Sequence, residues 1–226
     1  MIIKQDPKAL LLHQISHLYV GEISEEEKIC IDQQYEAVKA RLDLCFSHVK
    51  NKYYHNNGET IFNPLHVAQW TMFLYTISNQ IKRNAPHLTD LCDKIYGLSK
   101  CFSSADLYYE VELPDVWFFD HPQGSVMGRA EYSNFFTFSQ GCTVGNNKGL
   151  YPRFGEHVAM MSSSKVLGNC SVGHHVIFAA NSYIIDRDIP PYSIVFGENP
   201  NVIVHSITPE KFQELTASMF DCDDAE

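Results

Sequence analysis

The residues best equipped for chemistry lie in Phe118-Phe119-Asp120-His121-Pro122-Gln123-Gly124. An ordinary imidazole titrates near pH ~6.5, so His121 could take a proton from a hydroxyl and return it at neutral pH. A carboxylate bonded to the other ring nitrogen would fix the tautomer and stabilise the imidazolium. Asp120 is the adjacent carboxylate, but an Asp-His pair at a chain corner is also ordinary polar surface. The pair gains meaning from the element that presents it.

That element is a six-residue repeat. Bulky residues return at Val126, Tyr132, Phe138 and Val144, then at Phe154, Met160, Val166, Val172, Phe178 and Ile184. Neither a helical nor a strand period gives a clean six. One large inward residue per short unit is the mark of a parallel β-helix. Four positions past each beat the residue is small or β-branched, as a tight corner requires: Ala130, Cys142, Val158, Ser164, Cys170, Val176 and Ser182, with Phe136 and Asp188 as exceptions. Between Val144 and Phe154 the step is ten. Asn146-Asn147-Lys148-Gly149 must therefore leave the scaffold as a loop, and loops on rigid scaffolds often carry function.

The chain before the repeat reads as helical. Asp6 and Pro7 fit the start of a helix over 7–20. Ser24 with Glu27 fits a capping box opening a second helix over 24–54. Asn56-Asn57-Gly58 is a turn. Aromatic-rich 65–83 reads as a buried or interface helix, with His66 structural, and 89–99 as a fourth. After Ile189-Pro190-Pro191-Tyr192 and Gly197-Glu198-Asn199-Pro200 close the repeat, Thr208-Pro209 starts a last helix to about residue 220, and 221–226 reads as a frayed acidic tail. The expected class is α+β, mainly β. The expected domains are a helical domain over 1–104, a β-helix over 105–205 and a C-terminal helix with its tail over 206–226.

Composition narrows the function classes. The chain has 226 residues and a formal net charge of −10. That balance disfavours nucleic acid and anionic membrane as partners. Seven scattered cysteines without a CxxC pair suggest reduced thiols and a cytoplasmic setting. The first residues do not read as a signal peptide, and no apolar run is long enough to span a membrane.

The region from about Asp106 to Val204 resembles the left-handed β-helix acyltransferases built from hexapeptide repeats, and within them serine acetyltransferases. Phe119-Asp120-His121-Pro122-Gln123-Gly124 is similar to the family's Asp-His-x-x-Gly segment, and Val166-Leu167-Gly168-Asn169 and Ile189-Pro190-Pro191 recur at matching places. Helical domain first and β-helix second is also the family's order. The left hand, an exception to the usual crossover rule, comes from this resemblance.

The resemblance implies an acetyl-CoA-dependent O-acetyltransferase with His121 as general base. Asp106, fifteen residues earlier, stands where the family has the carboxylate that pairs with the base. Asp120, beside the base, is expected to touch the acceptor. Acetyl-CoA enters as co-substrate, with no bound cofactor, near Gly145, Ser163 and Ala180, and Lys165 faces a phosphate. The groove lies between neighbouring subunits, implying a homotrimer, or a hexamer as a dimer of trimers. Where serine acetyltransferases carry an Arg-His pair in the protruding loop, this chain has Leu150-Tyr151, then Pro152-Arg153. Leucine cannot grip a carboxylate as a guanidinium does, so Tyr151 and Arg153 become the candidate acceptor contacts, and a sugar hydroxyl competes with a serine-like amino alcohol. The isoleucine-ended tail that docks into the partner enzyme of cysteine synthesis is also missing, so that partner is not expected. A zinc-dependent carbonic anhydrase branch shares the fold, but Ser162 stands where its third ligand would follow His121 and His157. No metal site is expected. His174-His175 is expected to point outward. The alternatives are N-acetylation of an amino-sugar nucleotide and a non-catalytic β-helix scaffold.

Overall fold

The computed structural model describes residues 1–220; the expected acidic tail lies outside the described residues. Contacts divide the chain into two compact units. One comprises Met1–Ser47 with Lys52–Glu110, the other His48–Asn51 with the chain from Val111 onward. The change of unit thus falls after Glu110 rather than after 104, and the C-terminal helix belongs to the β unit.

The first unit contains four helices: α1 Pro7–Leu18, α2 Glu25–His48, α3 Val67–Asn84 and α4 Thr89–Ser103. Their starts follow the expected caps. Asp6 Oδ1 accepts the Lys8 and Ala9 N–H groups. The capping box closes both ways: Glu27 N–H donates to Ser24 Oγ at 3.2 Å and Ser24 N–H to Glu27 Oε2 at 2.7 Å. Helix α2 ends at His48 rather than near 54, because Val49 pairs with Phe220 and the Lys50 N–H donates to the Met219 carbonyl. Helix α4 runs on to Ser103 and stops where Ser104 turns left-handed. The Asn57-Gly58 turn, with φ of 51° and 84°, closes a hairpin between His55–Asn56 and Glu59–Phe62, whose outer partner is Ile2–Ile3.

Helix α3 is the buried helix expected: Trp70, Phe73, Leu74, Ile77 and Ile81 are at most 1% exposed. Most of its buried polar side chains are satisfied, Thr71 Oγ1 being the exception. Gln69 accepts the Asn63 N–H and donates to the Tyr53 carbonyl, and Asn79 donates to the Tyr109 carbonyl. His66 is its N-cap, with Nδ1 accepting the Gln69 N–H at 3.5 Å. Burial holds that imidazole below its ordinary pKa, outweighing a backbone bond that acts the other way. The structural reading of His66 stands.

The second unit is a parallel β-solenoid with three faces. One carries Trp117–Phe119, Phe136–Phe138, Val158–Met160, Val176–Phe178 and Ser193–Phe196, closed by antiparallel Ile203–Ser206. The second carries Val126–Met127, Thr143–Gly145, Lys165–Leu167 and Tyr183–Ile185, and the third Arg153–Phe154 and Ser171–Val172. The beat residues from Phe138 onward face inward: Phe138, Val144, Met160, Val166, Phe178 and Ile184 are at most 1% exposed. The expected corner residues Cys142, Ser164, Cys170, Val176 and Ser182 are wholly buried, and so is the exception Phe136. The beat slips in the first coil. Met127, not Val126, pairs with Val144, and Val126 is 40% exposed. That coil is a residue short of the regular repeat, so Met127 takes the inward place.

Several corners use left-handed backbone on non-glycine residues. Phe135, His157, His175 and Tyr192, with φ of 63°, 58°, 57° and 50°, form one row at the entrance to the longest face. Their rings stack in sequence at centroid distances of 4.2, 4.5 and 4.7 Å. Such backbone costs about 1–2 kcal/mol per residue, and the stacked rings offset part of it. Helix α5, Pro209–Thr216, starts at the Thr208 cap and places Phe212 edge-on to His175. His174 is exposed as expected; His175 is half-buried, its ring lying in this stack against Phe212.

Candidate active site

His121 follows the strand Trp117–Phe119 directly. The Asp120 N–H donates to the Phe138 carbonyl, which fixes the strand end, and Ser125 N–H to the Pro122 carbonyl closes the next turn. Between them His121 takes φ of 49°. This local turn pushes the imidazole out: its side chain is 77% exposed, with Nε2 3.6 Å from Asp120 Oδ1. That distance is too long for a hydrogen bond. Asp120, also exposed, is a neighbour of the imidazole rather than its clamp.

Asp106 belongs to the helical unit, past the end of α4. Both carboxylate oxygens are engaged there. Tyr96 donates its hydroxyl to Oδ1 at 2.6 Å and Lys100 its ammonium to Oδ2 at 2.9 Å. The bond to Asp106 leads the causes that raise the Lys100 pKa. Burial, followed by the Asp106 bond, raises that of Tyr96. Beside them Tyr109 donates to Asp93 and receives from Tyr108, and the three tyrosine rings pack edge to face or tilted. Nothing in the sequence spacing pointed to Tyr96 or Lys100.

The extra residues form a tight hairpin. Asn147 and Leu150 exchange both backbone hydrogen bonds at 3.0 Å. Lys148 and Gly149 at its tip have φ of 51° and 82°, the pattern of a two-residue type I′ turn. Leu150 and Tyr151 are exposed. Arg153 is not in the hairpin: it opens the strand Arg153–Phe154, paired with Ser171–Val172, so only its exposed side chain is free to turn. Asp186, which no motif marks, touches this hairpin. Its Oδ2 accepts Asn147 Nδ2 at 2.6 Å and its Oδ1 the Asn169 N–H at 2.8 Å.

Three of the four residues proposed for coenzyme A share one edge. Ser163 occupies a corner with φ of 62°. Lys165 Nζ donates to the Ser163 carbonyl at 3.2 Å, and Ala180 is exposed just before Asn181, whose N–H donates to the Ser162 carbonyl. Gly145 lies farther along, at the end of Thr143–Gly145, pairing with Leu167. A cavity beneath α5, lined by Phe135, His157, Phe212 and Phe220, contains none of these residues. Among the described residues, no group of three His, Cys, Asp or Glu side chains is placed to hold a metal ion, and no helix is long and apolar enough to cross a membrane. The six described cysteines are free thiols.

No family model matches the chain. Curated serine acetyltransferases of Staphylococcus epidermidis and Staphylococcus aureus are 28% and 27% identical to it over 131 residues, 56% of this chain and 59% of each relative. The matched region therefore spans less than two thirds of those relatives' length. Among solved structures, a serine acetyltransferase in complex with cysteine superposes with a TM-score of 0.72 at 18% identity, covering 96% of this chain and 84% of the other. A serine acetyltransferase in complex with CoA gives 0.67 at 18% identity, covering 88% and 83%. That of Neisseria gonorrhoeae gives 0.65 at 17% identity, covering 93% and 84%. The structural likeness is one of fold and the sequence likeness one of the matched region, and in both the chain is serine acetyltransferase-like, a left-handed β-helix of the hexapeptide-repeat kind with a helical unit before it.

Proposed function

We propose that the protein is an acetyl-CoA-dependent O-acetyltransferase acting on a small hydroxyl compound, with His121 as general base. The observation that carries this reading is the exposed imidazole of His121 at the opening of a hexapeptide β-helix whose sequence is similar to serine acetyltransferases.

In this reading His121 takes the acceptor's hydroxyl proton as the oxygen attacks the thioester carbonyl. A tetrahedral oxyanion forms and needs a hydrogen-bond donor. The attack has already formed the new C–O bond; collapse re-forms the carbonyl and breaks the C–S bond, and the imidazolium returns its proton to the departing thiolate. Asp106 is the carboxylate assigned to orient the base, and Asp120 the one assigned to the acceptor. Coenzyme A follows the edge of Ser163, Lys165 and Ala180, with Gly145 farther along. The likeness to a serine acetyltransferase seen with CoA supports acetyl-CoA as the co-substrate. A groove shared between subunits makes the working form a trimer or a pair of trimers.

The acceptor is less constrained. Leu150 and Tyr151 offer an apolar and a phenolic surface and no guanidinium, which favours a sugar hydroxyl over an amino-acid carboxylate. The test is thiol release from acetyl-CoA, followed with a chromogenic reagent, against L-serine, ethanolamine and nucleotide sugars bearing free hydroxyls or amines. Release with a hydroxyl acceptor that disappears in His121→Asn supports the reading. Release only with amino sugars would replace it with N-acetylation. No release and no acetyl-CoA binding would leave a scaffold.

A further inference from the structure

The hairpin that carries Leu150 and Tyr151 is held from two coils away. Asp186 sits 39 residues past Asn147, yet the solenoid stacks their corners. Its backbone is fixed first: φ is 48° and the N–H donates to the Leu167 carbonyl at 3.1 Å. Its carboxylate then divides. Oδ1 accepts the Asn169 N–H of the intervening coil at 2.8 Å, and Oδ2 reaches past it to Asn147 Nδ2 at 2.6 Å. An amide facing a carboxylate must present its nitrogen, so the bond is charge-assisted. Gly168 fills the corner between them. A Cβ there would lie 2.1 Å from Asp186 Oδ1 and 2.7 Å from Asn147 Cβ, so no other residue leaves room for the link. Asn147 is also the residue whose backbone closes the hairpin onto Leu150. The root of the hairpin is thus tied by its backbone to its own turn and by its side chain to the scaffold.

We propose that Asp186 is the positioning residue of the acceptor hairpin. Through Asn147 it sets the pose of residues 147–151, and through that pose the affinity for acceptor. This rests on the reading that the hairpin meets the acceptor. Asp186 touches no reacting atom in it, so its loss raises the KM for acceptor and leaves that for acetyl-CoA in place.

The left-handed backbone decides the substitutions. Alanine at Asp186 would add strain of its own, whereas glycine and asparagine both accept a positive φ. Asp186→Gly removes the link. Asp186→Asn keeps an acceptor for the Asn169 N–H and lets Asn147 rotate its amide to offer an oxygen. The first readout needs no activity: the rate of native-state trypsin cleavage after Lys148, relative to cleavage elsewhere in the full-length protein. The second is steady-state kinetics with whichever of L-serine, ethanolamine or a nucleotide sugar supports release. Asp186→Gly and Asn147→Ala should each speed cleavage after Lys148 and raise the acceptor KM roughly tenfold. The double variant should go no further than the worse single one, and Asp186→Asn should recover most of the loss. Unchanged cleavage, multiplied effects in the double variant, or equal rises in both KM values would overturn the proposal. A wild-type protein that releases no thiol with any acceptor would overturn acetyl transfer and the acceptor half of this inference together. The cleavage rates would still decide whether Asp186 holds the hairpin.

Discussion

Tyr96 donates its hydroxyl to Asp106 at 2.6 Å, so the carboxylate assigned to orient the base is already claimed inside the helical unit, with Lys100 on its other oxygen. Donors on a carboxylate draw off charge that would otherwise stabilise an imidazolium. Tyr96→Phe should therefore raise the apparent pKa of the base and move the acid limb of kcat/KM to higher pH. Lys100→Met should move it further the same way, because Lys100, held protonated by this bond, keeps its charge across the working range. Profiles that coincide with wild type in both variants would separate Asp106 from the base.

The geometry of His121 dictates how its role is tested. Its φ of 49° makes alanine a poor probe, since strain of about 1–2 kcal/mol would accompany loss of the ring. Asparagine tolerates that backbone. His121→Asn should lose roughly 10²–10⁴-fold in turnover while its Tm stays at the wild-type value, because the exposed imidazole holds nothing together. Turnover near wild type with an intact fold would remove His121 from the mechanism.

Acceptor choice should respond at Leu150. Leu150→Arg places a guanidinium on the exposed hairpin and supplies the bidentate partner that a carboxylate requires. Its kcat/KM for L-serine should rise relative to that for any uncharged hydroxyl acceptor. An unaltered ratio would show that the hairpin does not meet the acceptor's carboxylate.

The helical unit should carry a pH-dependent contribution from His66. Burial holds its folded pKa below the unfolded value of ~6.5, and its Nδ1 must be unprotonated to accept the Gln69 N–H. The unfolded chain therefore binds the proton first. The contribution is present above pH ~6.5 and is lost as pH falls through the folded value. Asparagine, a strong N-cap that does not titrate, removes that dependence. Denaturation midpoints measured from pH 7 to pH 5 should fall in wild type and fall less in His66→Asn; parallel slopes would assign the loss to other groups.

The features legible in the sequence were those set by local spacing. The six-residue beat marks Phe138, Val166 and Phe178 because one inward residue per strand is a property of each coil alone. The Asp6 and Ser24 caps likewise depend on residues two or three apart. The slip at Met127 was hidden because register is fixed by the neighbouring strand, where Val144 waits as partner. The end of α2 was hidden for the same reason, since its competitor Phe220 lies at the far end of the described chain. At the candidate site, His121 was visible by its motif. Tyr96, Lys100 and Asp186 were not, because phenols, ammonium groups and carboxylates that act by reaching across space leave no periodic mark. The stack that half-buries His175 was hidden because a polar residue name says little about a ring that lies between His157 and Tyr192.

The hairpin at Asn147 has one more consequence. Val166 pairs forward with Ile184 eighteen positions on, but back with Val144 across twenty-two. The four additional positions match the four residues Asn147–Leu150, which leave and rejoin the same corner. Strand pairing on either side does not register their presence. Apart from the Asp186–Asn147 link, the scaffold is therefore indifferent to what is inserted there, and the corner works as a socket. Recognition elements of other lengths and chemistries can be grafted into it while His121 and the edge of Ser163 and Lys165 keep their places. On the proposed function, acceptor preference and acyl transfer could then be altered one without the other.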